Sequence, residues 1–582
     1  MRRILAISFP LFILLLLAVH VARSASVPGP TANTADLVRT AYDGEKALET
    51  VAYLDQYVRW PGNRGFDAGI DHVASRIESA GFVAEETAAA GARLTYRIEA
   101  YPMTQPAWEP MAAAVTITGQ DTPVLEFTSN RNMLAVGSFS TPEGGITAEL
   151  IDVGSGTPAE LDAAEIQGRI VLAEGEISDL VKEAVVNRGA IGVLAYSLPA
   201  YLKPQTNKHS VQFRSIDDDI GVHESWAIAL STDAHEKLKA ALGDGAVQLN
   251  VMTEVKWTSA AIERTVVADI HGSEYPHERF VFSAHVQEPG ANDNASGVGA
   301  QVEMARVAAA LVTNGSVDPK RTITFLWGDE IVSTNRYVTQ DQERAEGIRW
   351  GLSLDMVGED TAKTGGTFLI EKMPDPSAIW TRGEDKHSEW GGEPMTKADM
   401  RPHYFNDVVL GRALEQAATN NWVVKTNPFE GGSDHVPFLK GNIPGLLLWH
   451  FTDQFYHTDR DRLEMVSPDE LKNVGVTALV TAIALTSADG PLVRSLIVEV
   501  RNAAIARLEV ETDLSVAAIK DGKAIADERD IVTTWASWYD GALASMADIE
   551  VGGSSFATES TIETARKGVS QTLAESLAKF GE

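Results

Sequence analysis

Residues able to hold a metal ion recur at the ends of short apolar runs in this chain. His285 follows the run 280–284, and Asp293 lies in the turn-rich segment after it, Gln287-Glu288-Pro289-Gly290-Ala291-Asn292. The run 322–327 leads through Gly328 into Asp329-Glu330, the run 351–354 ends in Asp355, and Tyr456-His457-Thr458 follows the run 446–449 after a short loop. The carboxyl ends of strands are where open α/β sheets bind ligands. Imidazoles and carboxylates without thiolates suit catalytic zinc, whose open positions admit water and substrate. Any one of these residues is weak evidence: a single strand-end His usually just makes hydrogen bonds, and Asp293 in a Gly/Asn-rich loop could serve a turn. His285, Asp293, Glu330, Asp355 and His457 taken together point to metal chemistry. A competing reading starts from Gly431-Gly432-Ser433-Asp434-His435, which approximates the nucleophile elbow of a serine hydrolase. His435 stands where the closing glycine belongs, and that reading leaves His285, Asp293 and Asp355 without a role.

The elements needed to position these residues can be read from periodicity. Leu48, Val51, Leu54 and Val58, then Ile70, Val73 and Ile77, recur at helical spacing across 31–81. Residues 94–132 alternate and carry Pro102, Pro106 and Pro110, which suits strands and turns. The compact runs 266–270, 280–284, 322–327, 351–356 and 446–449 predict strands buried on both faces. Between 144 and 256 a self-contained βα pattern leaves and rejoins the larger one, with strands at 169–173, 191–196 and 227–230 and helices at 182–188 and 234–242. The stretch 491–582 has helical spacing and no strand signal. The expected fold is α/β: a mixed, largely parallel sheet sandwiched by helices, with an inserted βα domain and a helical C-terminal extension. The expected divisions are 1–24, 31–135, 144–256, 257–488 and 489–582.

Composition excludes several classes of function. With 44% hydrophobic and 22% charged residues over 582 positions, the chain has material for several packed domains and is not a disordered one. Lys and Arg total 49 against 81 Asp and Glu, a net charge of −32, which argues against nucleic acid or an anionic membrane as partner. The absence of cysteine removes disulfides, thiol nucleophiles and thiolate-held metals. Arg2 and Arg3, the apolar run 4–21 broken by His20, and small residues around Ala22 and Ser24 form the layout of a secretory signal. The mature protein is therefore expected to be exported, periplasmic or extracellular, with no stable membrane association after signal cleavage. The polar stretch 381–401, with His387 and Trp390, reads as an exposed loop, and neither these residues nor the nearby His403 is assigned.

The order His285…Asp293-Asn294-Ala295-Ser296-Gly297…Asp329-Glu330…Leu354-Asp355-Met356-Val357-Gly358…Ser433-Asp434-His435…Tyr456-His457-Thr458 resembles the co-catalytic di-zinc exopeptidases of metallopeptidase family 28, of aminopeptidase and glutamate carboxypeptidase type. The resemblance extends over about 31–485 and includes a protease-associated domain insertion at 144–256, through Gln167-Gly168-Arg169-Ile170-Val171-Leu172 and Gly189-Ala190-Ile191-Gly192-Val193. It implies two zinc ions bridged by Asp293, with His285 and Asp355 completing one site and Glu330 and His457 the other. It also implies a peptide substrate, a shared hydroxide as nucleophile, Asp329 as general base and Tyr456 as donor to the oxyanion. Two positions depart from the family pattern. Gln287 stands where an Asp usually supports the first metal His, and Asp329 stands where the base is usually Glu. An aminopeptidase is the expected activity. The alternatives are a glutamate carboxypeptidase-like enzyme and a secreted binding protein that has kept the fold and lost catalysis.

Overall fold

The computed structural model describes residues 29–217 and 224–581, so the signal-like segment 1–24 lies outside the described residues. Three helices, Ala32–Ala41, Gly44–Leu54 and Arg64–Ser79, open the described chain. In the third, the Asn63 side chain accepts a hydrogen bond from Phe66 N–H and caps the helix, while Phe66, Ile70, Val73 and Ile77 form one buried face. These helices cover a nine-stranded sheet ordered Val83–Ala84, Leu94–Pro102, Ile262–Ile270, Arg321–Gly328, Tyr275–His285, Ile348–Leu354, Gly445–Phe451, Thr367–Glu371, Lys425–Asn427. Its centre is four parallel strands, Arg321–Gly328, Tyr275–His285, Ile348–Leu354 and Gly445–Phe451. Antiparallel pairings flank this centre on both sides. The fold is thus the expected mixed α/β sheet between helices, and its central strands are the continuous apolar runs that burial on two faces requires.

Helix Ala295–Thr313 packs across the sheet and is buried on nearly every side. Its first turn lies against the end of strand Ile348–Leu354, where a Cβ on Gly297 would fall 2.2 Å from the Leu354 carbonyl oxygen. Only glycine permits that approach, which brings the segment carrying Asp293 beside the strand that delivers Asp355.

A second, seven-stranded sheet is ordered Leu125–Glu126, Ala107–Ile117, Val247–Thr258, Ile146–Asp152, Ile170–Ala173, Gly192–Ala195, Ala227–Ala229. It begins at Ala107, upstream of the 144–256 span expected of the insertion, because Ala107–Ile117 pairs along its length with Val247–Thr258 and not with the larger sheet. The two long strands share the alternating pattern of the preceding stretch, so periodicity could not tell which sheet they join. Within the unit, helix Thr232–Asp244 falls where expected, while the segment before Gly189 is a short helix Ile177–Leu180 continued by a wider π-helical turn Val181–Val186.

The C-terminal region is helical, with Gly490–Lys520, Ile525–Ser545 and Phe556–Ala578 packed on one another. Trp535, Trp538 and Tyr539 of the second helix join the same apolar core as Phe280, Phe282 and Trp350 of the sheet. Buried Arg321, at the start of a central strand, ties the two together by donating to Ile549 O at 2.7 Å and Leu485 O at 3.2 Å while paired with Glu278. Arg321→Met removes a buried charge from these partners and leaves them unsatisfied, so it should cost about 2–4 kcal/mol. A lower midpoint in denaturant unfolding is the measurement.

Candidate metal centre

The parallel register brings the ligand-type residues side by side. His285 is paired with Gly328, so Asp329 and Glu330 leave their strand next to the imidazole. Leu354 is paired with Leu448, and Asp355 N–H donates to Leu448 O at 3.0 Å. The loop after His285 is clamped from outside. Fully buried Arg59 donates to Val286 O at 2.9 Å and Gly290 O at 2.7 Å, and Arg131 donates to Pro289 O at 2.6 Å. Asp461 accepts from the backbone N–H of Asn292 at 2.8 Å and of Asp293 at 2.9 Å. Glu288, Ile331, Met356 and His457 all have positive φ, between 55° and 80°, and each is a candidate ligand or follows one. Non-glycine residues avoid this region unless their surroundings impose it, and such strain concentrates at functional sites.

Two overlapping groups of ligand-type atoms result. His285, Asp293 and Asp355 form one, and Glu288, Asp293 and His457 the other, the atoms of each lying within 4.8 Å of one another. His285 Nε2 is 3.2 Å from Asp355 Oδ2 and 3.8 Å from Asp293 Oδ1. His457 Nε2 is 2.9 Å from Asp293 Oδ2 and 3.4 Å from Glu288 Oε2. Asp293 is common to both groups. Glu330 is in neither, although its Oε1 stands 3.8 Å from His285 Nε2.

The two departures in sequence have structural consequences. Gln287 supports His285 through its backbone, the carbonyl lying 3.3 Å from Nδ1, and its side-chain amide is directed to Glu330. There it accepts from Glu330 N–H at 2.7 Å and donates to Glu330 Oε2 at 3.2 Å. Burial and the carboxylates of Glu263 and Asp434 push Asp329 up to about 7. Ser433 Oγ donates to Asp355 Oδ2 at 2.7 Å, and the His435 ring is 2.9 Å from Glu371, so the elbow-like motif has no serine–histidine pair. Tyr456 stacks on His457, and burial followed by the charges of Asp293 and Glu288 holds its phenol well above the ordinary value, which keeps it a donor.

The electrostatics of the site call for cations. Burial, with repulsion from Asp293 and Glu330, raises Glu288 well above the usual carboxylate range. Burial also dominates at Glu330, pushed up to about 8 with Asp355 adding repulsion against the opposing attraction of His285. His285 Nε2, Glu288 Oε2 and Asp355 Oδ1 are buried and make no hydrogen bond. Buried polar atoms are nearly always satisfied, so three unsatisfied ligand atoms divided between the two groups fit bound metal, and a set of imidazoles and carboxylates fits zinc.

The two groups open on a cavity of about 240 Å³ with walls from Met356, Trp390, Leu447, Trp449 and Tyr456 and, among the described residues, no lysine or arginine in its lining. Trp390 thus reaches the site from the stretch read as an exposed loop. It packs over Gly432, where a Cβ would fall 2.6 Å from the indole at a φ of +90°. His387 is 3.2 Å from Glu430, and His403 is half-buried outside the cavity lining, with desolvation lowering it to about 3. The second sheet's unit reaches the centre too. The Phe213 ring stacks on His457 at 4.4 Å, Phe213 N–H donates to His457 O at 2.9 Å, and Asn132 Nδ2 donates to the same oxygen at 3.2 Å. A neighbouring cavity of about 370 Å³, walled in part by Phe213 and Arg214, shares His457.

Sequence reasoning missed Arg59, Arg131, Asp461, Phe213 and the role of Ser433. Asp461 follows closely on His457 and could have been suspected as a carboxylate near a ligand. Arg59 and Phe213 come from distant segments with no local pattern to mark them.

Residues 265–482 match the model of peptidase family M28. Aminopeptidase YwaD of Bacillus subtilis (strain 168) is 25% identical over 360 residues, covering 60% of this chain and 69% of that protein. A probable zinc metalloprotease of Pyrenophora tritici-repentis (strain Pt-1C-BFP) is 25% identical over 217 residues, but the match spans only 45% of its length and 31% of this chain. Among solved structures, BSAP, a zinc aminopeptidase from Bacillus subtilis, superposes with a TM-score of 0.52 at 20% identity, covering 76% of this chain and 95% of that one. A peptidase M28 precursor from Shewanella amazonensis SB2B gives 0.53 at 15% identity, covering 78% and 96%. At these identities the superpositions speak for the fold, and the matched segment holds all five residues picked out at the strand ends and loops. Residues 265–482 of the chain are thus a peptidase family M28 domain.

Proposed function

We propose that the protein is an exported zinc-dependent exopeptidase that removes residues from the free amino end of peptides and binds two zinc ions. The observation that carries this reading is the pair of ligand groups sharing Asp293, with three of their buried atoms left without hydrogen bonds. His285, Asp293 and Asp355 would hold one ion, and Asp293, His457 and a neighbouring glutamate the other. What zinc supplies when bound is Lewis acidity, which polarises a carbonyl and makes water a nucleophile near neutral pH.

The chain's own residues do the rest. Asp329 takes a proton from the attacking water and passes it to the departing amine nitrogen, as the carbonyl carbon gains a C–O bond and loses its C–N bond. Tyr456 Oη donates to the carbonyl oxygen as it gains charge. Trp390, Trp449 and Leu447 keep bulk water from the side of the cavity where a substrate side chain would lie. Ser433 orients Asp355 and is not a nucleophile.

The preference for an amino terminus rests on charge. Three of the cations between Asp355 and His457 that a carboxylate would need are engaged elsewhere, while Lys386 of the same stretch is exposed. Arg382 is bound to Glu511 and Glu528 of the C-terminal helices, Lys397 to Asp530, and Arg401 to the carbonyls of Ala398 and Asp399. Arg214 in the adjoining cavity donates to Ser197 O and faces Glu176 at 3.6 Å. The cavity by the ligand groups offers carboxylates alone as charged side chains apart from His457.

Elemental analysis of protein purified without chelator should give close to two zinc per chain, and Asp293→Ala should retain less metal than any other single substitution, since both groups use that carboxylate. Protein free of transition metal after growth in zinc-supplemented medium would sink the reading. Asp329→Asn should keep metal and fold while slowing turnover at least ~10²-fold, the scale of general acid–base help. Unchanged turnover removes Asp329 from the reaction. For polarity, one peptide prepared as its C-amide and as its N-acetyl derivative should be cleaved only as the amide, and cleavage of the acetylated form alone reverses the assignment.

A further inference from the structure

We infer that Glu288, and not Glu330, is the carboxylate that completes the metal site built on His457 and Asp293. The inference rests on the zinc peptidase reading and names a ligand within it. Glu288 Oε2 is 3.4 Å from His457 Nε2, and its ligand atom groups with those of Asp293 and His457. The residue is 8% exposed, and Oε2 is buried without a hydrogen bond. A carboxylate pays heavily for burial unless it is paired or coordinates a metal, and among the described residues neither lysine nor arginine lines this cavity. Its backbone is held at φ +80° while its N–H donates to Arg59 O at 2.9 Å. The strained conformation is therefore imposed by the same arginine segment that clamps the loop, and it turns the side chain inward.

Gln287 explains why Glu330 is absent from the group. Its amide satisfies Glu330 twice, at the backbone N–H and at Oε2. An aspartate at 287 could not donate to that carboxylate and would repel it. The two neighbouring residues therefore act together. The amide at 287 holds Glu330 on the His285 side, where its Oε1 is 3.8 Å from the imidazole, and the carboxylate at 288 fills the position beside His457. The same pair accounts for the sequence departure without loss of a ligand: the number of carboxylates around the two imidazoles is preserved, with one supplied from a different strand end.

The test is zinc titration of the metal-stripped full-length protein by calorimetry, with bound zinc counted after gel filtration and folding followed by circular dichroism. Wild type should bind two zinc ions, Glu288→Gln about one, and Glu330→Gln two. Glu288→Gln that still binds two with unchanged affinity overturns the assignment, whatever Glu330→Gln does. Glu288→Asp guards against failure of the amide variant to fold: the shorter carboxylate should weaken the second zinc about 10–100-fold, the range for disturbed metal sites, and unchanged affinity also overturns the assignment. Wild-type protein that binds no zinc instead overturns the peptidase reading beneath it, an outcome distinct from two ions bound by both wild type and variant.

Discussion

The constraint on which the centre depends is the burial of like charge. Glu288, Asp293, Glu330 and Asp355 face one small volume with His285 and His457 as the only basic groups among the lining and ligand residues described. Such a set cannot be ionised together in a low-dielectric setting unless positive charge is added. The fold keeps them there because each is fixed by something that does not depend on the others. His285 and Asp355 are fixed by parallel register, Asp293 by two backbone bonds to Asp461, and the 286–290 loop by Arg59 and Arg131. Stability stored in the sheet and its helices is used to hold repelling groups in a geometry that a cation relieves.

That arrangement draws on the whole described chain. The N-terminal helical segment gives Arg59, the second sheet's unit gives Phe213 and Asn132 against His457, and the C-terminal helices occupy Arg382 and Lys397. Among the described residues, the unit that interrupts the larger sheet supplies none to either ligand group, yet it sets the face of an imidazole. The C-terminal helices share the sheet's core through Trp535 and Trp538 and pair with Arg382 and Lys397.

Sequence alone pointed to the peptidase family of the 265–482 domain and to the kind of sheet, because both follow from local signals. Apolar runs long enough to be buried on two faces, each ending in His, Asp or Glu, mark strands and their functional ends without reference to anything distant. It placed the C-terminal helices and the main elements of the inserted unit for the same reason. Sheet membership was less legible: Ala107–Ile117 alternates like any half-buried strand, and only its pairing with Val247–Thr258 assigns it to the second sheet.

The order of residue types along the chain determined which chemistry was available: imidazole and carboxylate, and no thiol. Tertiary structure decided which of those carboxylates stand together. Glu288 and Glu330 are chemically alike and each lies next to a motif residue, so spacing cannot rank them. The choice depends on a backbone turned to positive φ at 288 and on an amide at 287 that spans two strand ends to reach Glu330. Long-range contacts of that kind have no signature in sequence, because the partners meet only once the parallel strands are in register.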